Sequence, residues 1–147
     1  MKGCSVPFIS IVDASIGEIG KLAKAGAPIG IIATRATLAT KIFDAQLQSA
    51  GYTPMPPDDD LMEKLVLPGI ELVKAGQVVQ GGQLIEQAVQ ALLVRGAGAV
   101  LLACTETPLA LDAVQSPLRA QCVDSTAALA RACVAWWQAG HGQKPMK

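Results

Sequence analysis

Directly after the apolar run 99–103 (AVLLA) stand Cys104, Thr105, Glu106, Thr107 and Pro108. Pro108 suits the first position of a helix, with Thr107 as its cap. This reading sets Cys104 between a strand end and a helix start. A helix N-terminus lowers a thiol pKa and offers free N–H groups to a carboxylate. One short segment can thus present a reactive sulfur, a hydroxyl and an anion site. The same spacing also fits a small buried cysteine at a strand end. A second run, PIGIIA, is followed by Thr34, Arg35, Ala36 and Thr37. It reads either as another arm of an anion site or as a Thr-capped helix start with a solvated arginine. Lys74 precedes Gly76, where a lysine is commonly a favourable charge at a helix C-terminus.

The other reactive side chains point elsewhere. Cys122 falls in an apolar strand and Cys133 in an apolar helix, so both read as packing residues. Cys4 has no visible partner, and His141 sits in a polar tail. No C-x-x-C pair or ligand spacing with His141 occurs, so no metal is expected. Asp58 to Asp60 reads as a solvated helix cap. Trp136 and Trp137 read as packing or interface anchors. Neither G-x-G-x-x-G, nor a Walker pattern, nor G-x-S-x-G is present.

These groups need elements to hold them, and the pattern alternates strand and helix. Strands are expected at 6–12, 28–34, 52–55, 99–103 and 120–123. Ser15 and Glu18 read as a capping box opening a helix that ends at Gly26. A helix is expected at 38–50, and two short ones around a break at Pro68-Gly69. Gly76 and Gly81-Gly82 read as further breaks. The clearest helix is 83–95, where Leu84, Ile85, Ala88, Val89, Leu92 and Leu93 form one stripe. The last helix, 125–138, is apolar nearly all round, with Arg131 its only charge. Such a helix is buried on several sides or packs on another chain. Fully apolar strands suit a parallel sheet covered on both faces, and the fold class expected is α/β.

Composition bounds the rest. Of 147 residues, 51% are hydrophobic and 16% charged, and the net charge is zero. Disorder is excluded, since disordered chains are poor in apolar residues. No basic excess exists to grip nucleic acid. No stretch is apolar over the length of a membrane span, and no signal peptide is expected from the opening residues. A cytoplasmic protein with reduced thiols is expected.

Residues 103–109 (ACTETPL) resemble the second-half motif G-C-T-E-x-P-L of the aspartate/glutamate racemase family. Residues 31–38 (IIATRATL) resemble that family's L-A-T-x-G-T-L segment. IVDA at 11–14, VKAG at 73–76 and VDST at 123–126 are also similar to family segments, in the right order. The resemblance spans nearly the whole chain. It implies an enzyme without cofactor, with two similar α/β halves and an active site in the cleft between them. Two cysteines on opposite faces of the substrate would invert Cα, one thiolate taking the α-proton and one thiol returning a proton. The resemblance puts the second-half cysteine at Cys104. It puts groups that hold an acidic amino acid at Thr34, Thr37, Lys74, Thr105 and Glu106. It implies a homodimer.

Three departures stand out. The family's first-half C-N-T motif is absent, and Ala36 and Ala103 replace glycines. The chain therefore resembles the later portion of a racemase. Residues 1–26 would be a remnant strand and helix of the first half, and 27–115 the complete second half. Residues 116–139 would be a strand and helix returning to the first half, and 140–147 a polar tail. Racemisation is expected to be impaired with one cysteine of the pair. A single-cysteine isomerase or decarboxylase of the same superfamily and a non-catalytic dicarboxylate-binding remnant are the alternatives.

Overall fold

The computed structural model describes residues 7–141. Four parallel strands form one sheet: β1 (Pro28–Ile32), β2 (Thr53–Met55), β3 (Ala99–Leu102) and β4 (Cys122–Asp124), in the order β2-β1-β3-β4. The α/β class with a parallel sheet is as the apolar runs require. β1 and β3 sit in the middle and pair from Ile29 with Ala99 to Ile32 with Leu102. Their side chains alternate between faces. Ile29, Ile31, Ala99 and Leu101 enter one core, and Ile32, Val100 and Leu102 the other. β2 lies at an edge, where Pro54 costs no interior ladder bond. β4 pairs with β3, so the last strand lies in this same sheet.

Helices cover both faces. On one lie α1 (Ile11–Leu22), α3 (Asp44–Ser49) and α8 (Ser125–Trp136). On the other lie α5 (Leu67–Lys74), α6 (Val78–Val94) and α7 (Glu106–Ala113). The remaining helices, α2 (Arg35–Thr40) and α4 (Asp59–Leu61), follow β1 and β2.

Several sequence expectations are corrected. Residues 7–10 form no strand, and α1 begins at Ile11. Ser10, not Ser15, caps it by accepting the Asp13 N–H at 3.2 Å. Ser15 is buried one turn later and donates to the Ile11 carbonyl at 2.7 Å. Glu18 does not close a capping box; it pairs with Lys21 and Arg131. The expected helix 38–50 is two helices, because Lys41 takes a left-handed conformation (φ 50°) between α2 and α3.

Pro68-Gly69 does not break the chain. Helix runs without a gap from 59 to 74, through a wide π turn at Met62–Val66. Pro68 directly follows that turn, where the hydrogen-bond ladder is widened to a five-residue span, as in the Leu67 N–H to the Met62 carbonyl. Gly81-Gly82 is no break either: both lie inside α6 and are buried. A Cβ on Gly81 would come 2.7 Å from the Gly69 carbonyl oxygen, and one on Gly82 2.3 Å from that of Ala110. The glycines let α6 touch the backbones of α5 and α7.

Candidate active site

All four strands point the same way, so their carboxyl ends share one edge, where open α/β sheets bind ligands. Beyond the last paired rung, the Ala103 N–H still donates to the Ile32 carbonyl at 2.8 Å. Thr34 and Cys104 therefore leave neighbouring strands at the same level. Sequence reasoning chose both segments, and the sheet brings them side by side.

Thr34 caps α2. Its Oγ1 accepts the Thr37 N–H at 3.3 Å and lies 3.1 Å from the Thr37 hydroxyl. Both threonines are half-buried. Arg35 is not simply solvated. Its guanidinium pairs with Glu63 in the π turn and with Asp59 at 3.5 Å. Its charge is thus already answered, which the sequence did not reveal.

The other arm also starts earlier than expected. α7 begins at Glu106, with Thr105 rather than Thr107 at its cap position. Thr107 is fully buried and its hydroxyl donates to the Cys104 carbonyl at 2.9 Å. That bond and the Thr107 N–H to the same oxygen fix the turn under the cysteine. Pro108 is the third helical residue, still in the first turn where N–H groups lack partners.

Cys104 is half-buried, and its thiol donates to Glu106 Oε2 at 2.8 Å. The Thr105 hydroxyl donates to the same oxygen at 3.0 Å. Two influences here oppose the lowered thiol pKa expected at a helix terminus. Burial, and then the Glu106 carboxylate, push the thiol up to about 11. The Glu106 backbone N–H and Lys74 pull the other way and lose. The helix terminus does favour the thiolate, but it is outweighed. The Cys104 thiol in turn holds the Glu106 carboxyl below the usual carboxylate range, against its own partial burial. Lys74 ends α5, where it pairs loosely with Glu71 at 3.4 Å. Its charge reaches both Cys104 and Glu106. The hold of Glu106 on the thiol was missed; its place two residues after the cysteine was the available signal.

The remaining candidates fall outside this edge. Cys122 is buried in β4, and burial pushes its thiol up to about 12. Cys133 is exposed on α8. Asp58 caps α4 through the Leu61 N–H at 2.8 Å and pairs with Arg95 at 2.9 Å. Cys4 and the His141 side chain lie outside the described residues. Among the described residues no helix is long and apolar enough to cross a membrane.

The chain is similar to several known proteins. An uncharacterized protein in the pnlA 3′ region of Pectobacterium carotovorum subsp. carotovorum is 30% identical over 137 residues, 91% of this chain and 87% of that protein. An aspartate racemase homologue from Pyrococcus horikoshii OT3 superposes over 91% of this chain with a TM-score of 0.75 at 24% identity. The aspartate racemase of Picrophilus torridus superposes over 90% with a TM-score of 0.68, also at 24% identity. The likeness to these two is one of fold. The chain spans 57% and 53% of their lengths. The sequence matches the Asp/Glu/Hydantoin racemase family over residues 2–133, and the chain belongs to that family.

Proposed function

We propose that this chain carries one cysteine arm of a cofactor-independent aspartate/glutamate-type racemase. One observation carries the reading: Cys104, Thr105 and Glu106 stand level with Thr34 and Thr37 at the ends of adjacent strands, within reach of the Lys74 charge. In this reading Thr34, Thr37 and Thr105 present hydroxyls to the carboxylates of an acidic amino acid. Lys74 and the N-terminus of α7 add positive potential. The Cys104 thiolate takes the α-proton, breaking the Cα–H bond and leaving a carbanion. Inversion needs a second acid on the opposite face. The sequence contains no C-N-T triplet to supply it, so we infer that inversion by this chain alone is weak. The exposed apolar side of α8 supports pairing into a homodimer, and three cysteines left free among the described residues suit a reducing, cytoplasmic setting.

The experiment follows the α-hydrogen of L- and D-aspartate and of both glutamates in deuterated buffer. A single sulfur on one face exchanges one enantiomer with retention and yields little inverted product. Rapid exchange of both enantiomers with inversion would remove the one-armed reading. Absence of exchange, with aspartate still bound, would favour a dicarboxylate-binding module.

A second reading is supported by the raised thiol. A sulfur that keeps its proton up to about 11 suits donation to an enolate, which needs one donor only. A single-cysteine isomerase or decarboxylase of the superfamily would turn over maleate or a malonate, and Cys104→Ser would abolish that turnover.

A further inference from the structure

We propose that Glu106 is the receptor for the substrate's α-ammonium group, and that seating this group is what releases Cys104 to act as a base. The proposal deepens the racemase reading and rests on it, and it gives Glu106 a specific part in holding the substrate.

Charge decides the first half. Glu106 carries an ionised carboxylate, and a second carboxylate placed against it is repelled. An acidic amino acid has two negative groups and one positive group. At this edge the charges facing Cys104 are Lys74 from α5 and Glu106 from α7, with Glu71 drawing on the outer side of Lys74. The negative groups of the substrate therefore belong with Lys74, the threonine hydroxyls and the helix amides. That leaves its ammonium for Glu106.

Geometry supplies the second half. The Cys104 thiol and the Thr105 hydroxyl both donate to Oε2 of Glu106, at 2.8 and 3.0 Å. An ammonium is a stronger donor to a carboxylate than a thiol, since it adds a full opposite charge whereas S–H is a weak, neutral donor. It takes over the oxygen and cancels the charge beside the sulfur. Burial still opposes the thiolate, but the sulfur loses the carboxylate that opposes it as well and keeps the Glu106 backbone N–H that favours it. The S–H proton leaves to solvent, and the thiolate so formed takes the Cα proton. Without substrate the thiol stays protonated and poorly reactive.

The test titrates Cys104 by its thiolate ultraviolet absorbance, wild type minus Cys104→Ser, with folding followed by circular dichroism. Without ligand, Glu106→Gln should lower the midpoint by about one pH unit or more, while Glu106→Asp should keep it raised. An unchanged midpoint in Glu106→Gln overturns the proposal whatever the reaction is. Saturating aspartate should lower the wild-type midpoint by about one unit, and succinate, with both carboxylates and no ammonium, should not. Succinate lowering it equally overturns the proposal and leaves the racemase reading standing. Calorimetry showing that neither aspartate nor glutamate binds removes that reading, and the ammonium role with it.

Discussion

The two faces of the sheet are built differently. On the face of α5, α6 and α7, helices meet backbone to backbone: Gly69 against Gly81, and Gly82 against Ala110. Val66, Ile70, Ile85, Leu92, Val100, Leu102 and Leu111 are sealed beneath them. On the other face, α1 and α3 bury Ile19 and Leu47, but α8 buries only Ser125 and Ala128. Further along α8, Val134 is 54% exposed, and beyond it Trp137 is 59% exposed. Pro7, Ile9, Leu129, Cys133, Trp136 and Trp137 line an apolar groove of about 430 Å³ beside it. Contiguous exposed apolar surface of this kind is uncommon on a self-sufficient monomer. One face is closed by backbone contacts between its helices, and the other leaves apolar side chains exposed.

The largest way to break this contrast is Gly82→Ala. Its Cβ would meet the Ala110 oxygen at 2.3 Å and Val114 at 2.7 Å, so α6 and α7 must part. A loss of about 3 kcal/mol or more is expected in urea unfolding; a neutral result would show the helix contact to be loose. Next comes alkali. The Cys122 thiol, buried on the close-packed face, is raised from 9.0 to about 12. Its contribution is fully present below pH 9 and is lost as pH rises towards about 12, on the order of 4 kcal/mol. Cys122→Ala should flatten that decline in unfolding measured across the window. Asp124→Ala removes the cap of α8, which accepts the Thr126 and Ala127 N–H groups at 2.9 and 3.1 Å. About 1 kcal/mol is expected. The smallest effect belongs to the open face. Val134→Ser and Trp137→Ser should each change stability by less than about 0.5 kcal/mol, yet reduce binding of a hydrophobic dye and self-association. A large stability loss there would mean that α8 is already sealed.

The central strands were legible because a run such as AVLL, buried on both faces, has no polar alternation to confuse it. The strand ends were legible for the same reason, and they led to Cys104, Thr34 and Thr37. What was misread depends on groups far apart in sequence. Gly81-Gly82 looks like a stop locally and is a helix interior because α5 and α7 approach there. The apolar run at 6–12 looks like a strand, but its described part gives way to α1, where Val12, Ser15 and Ile19 lie on one buried side. The turn at Lys41 left no trace, since no glycine marks its left-handed backbone. The state of Cys104 was hidden too. Spacing shows the helix terminus that favours a thiolate, and only the fold shows the burial and the Glu106 oxygen that outweigh it.

The π turn at Met62–Val66 works as a gear. Each residue added to or removed from a helix turns everything beyond it by about 100°. Gly69, which lies against Gly81, and Lys74, whose charge reaches Cys104, both follow that turn. A chain shortened by one residue there would keep every side chain of the site. It would nevertheless swing the lysine to another quarter and bring side chains where bare backbone now meets α6. The length of this segment is therefore information in its own right, carried by no single amino acid.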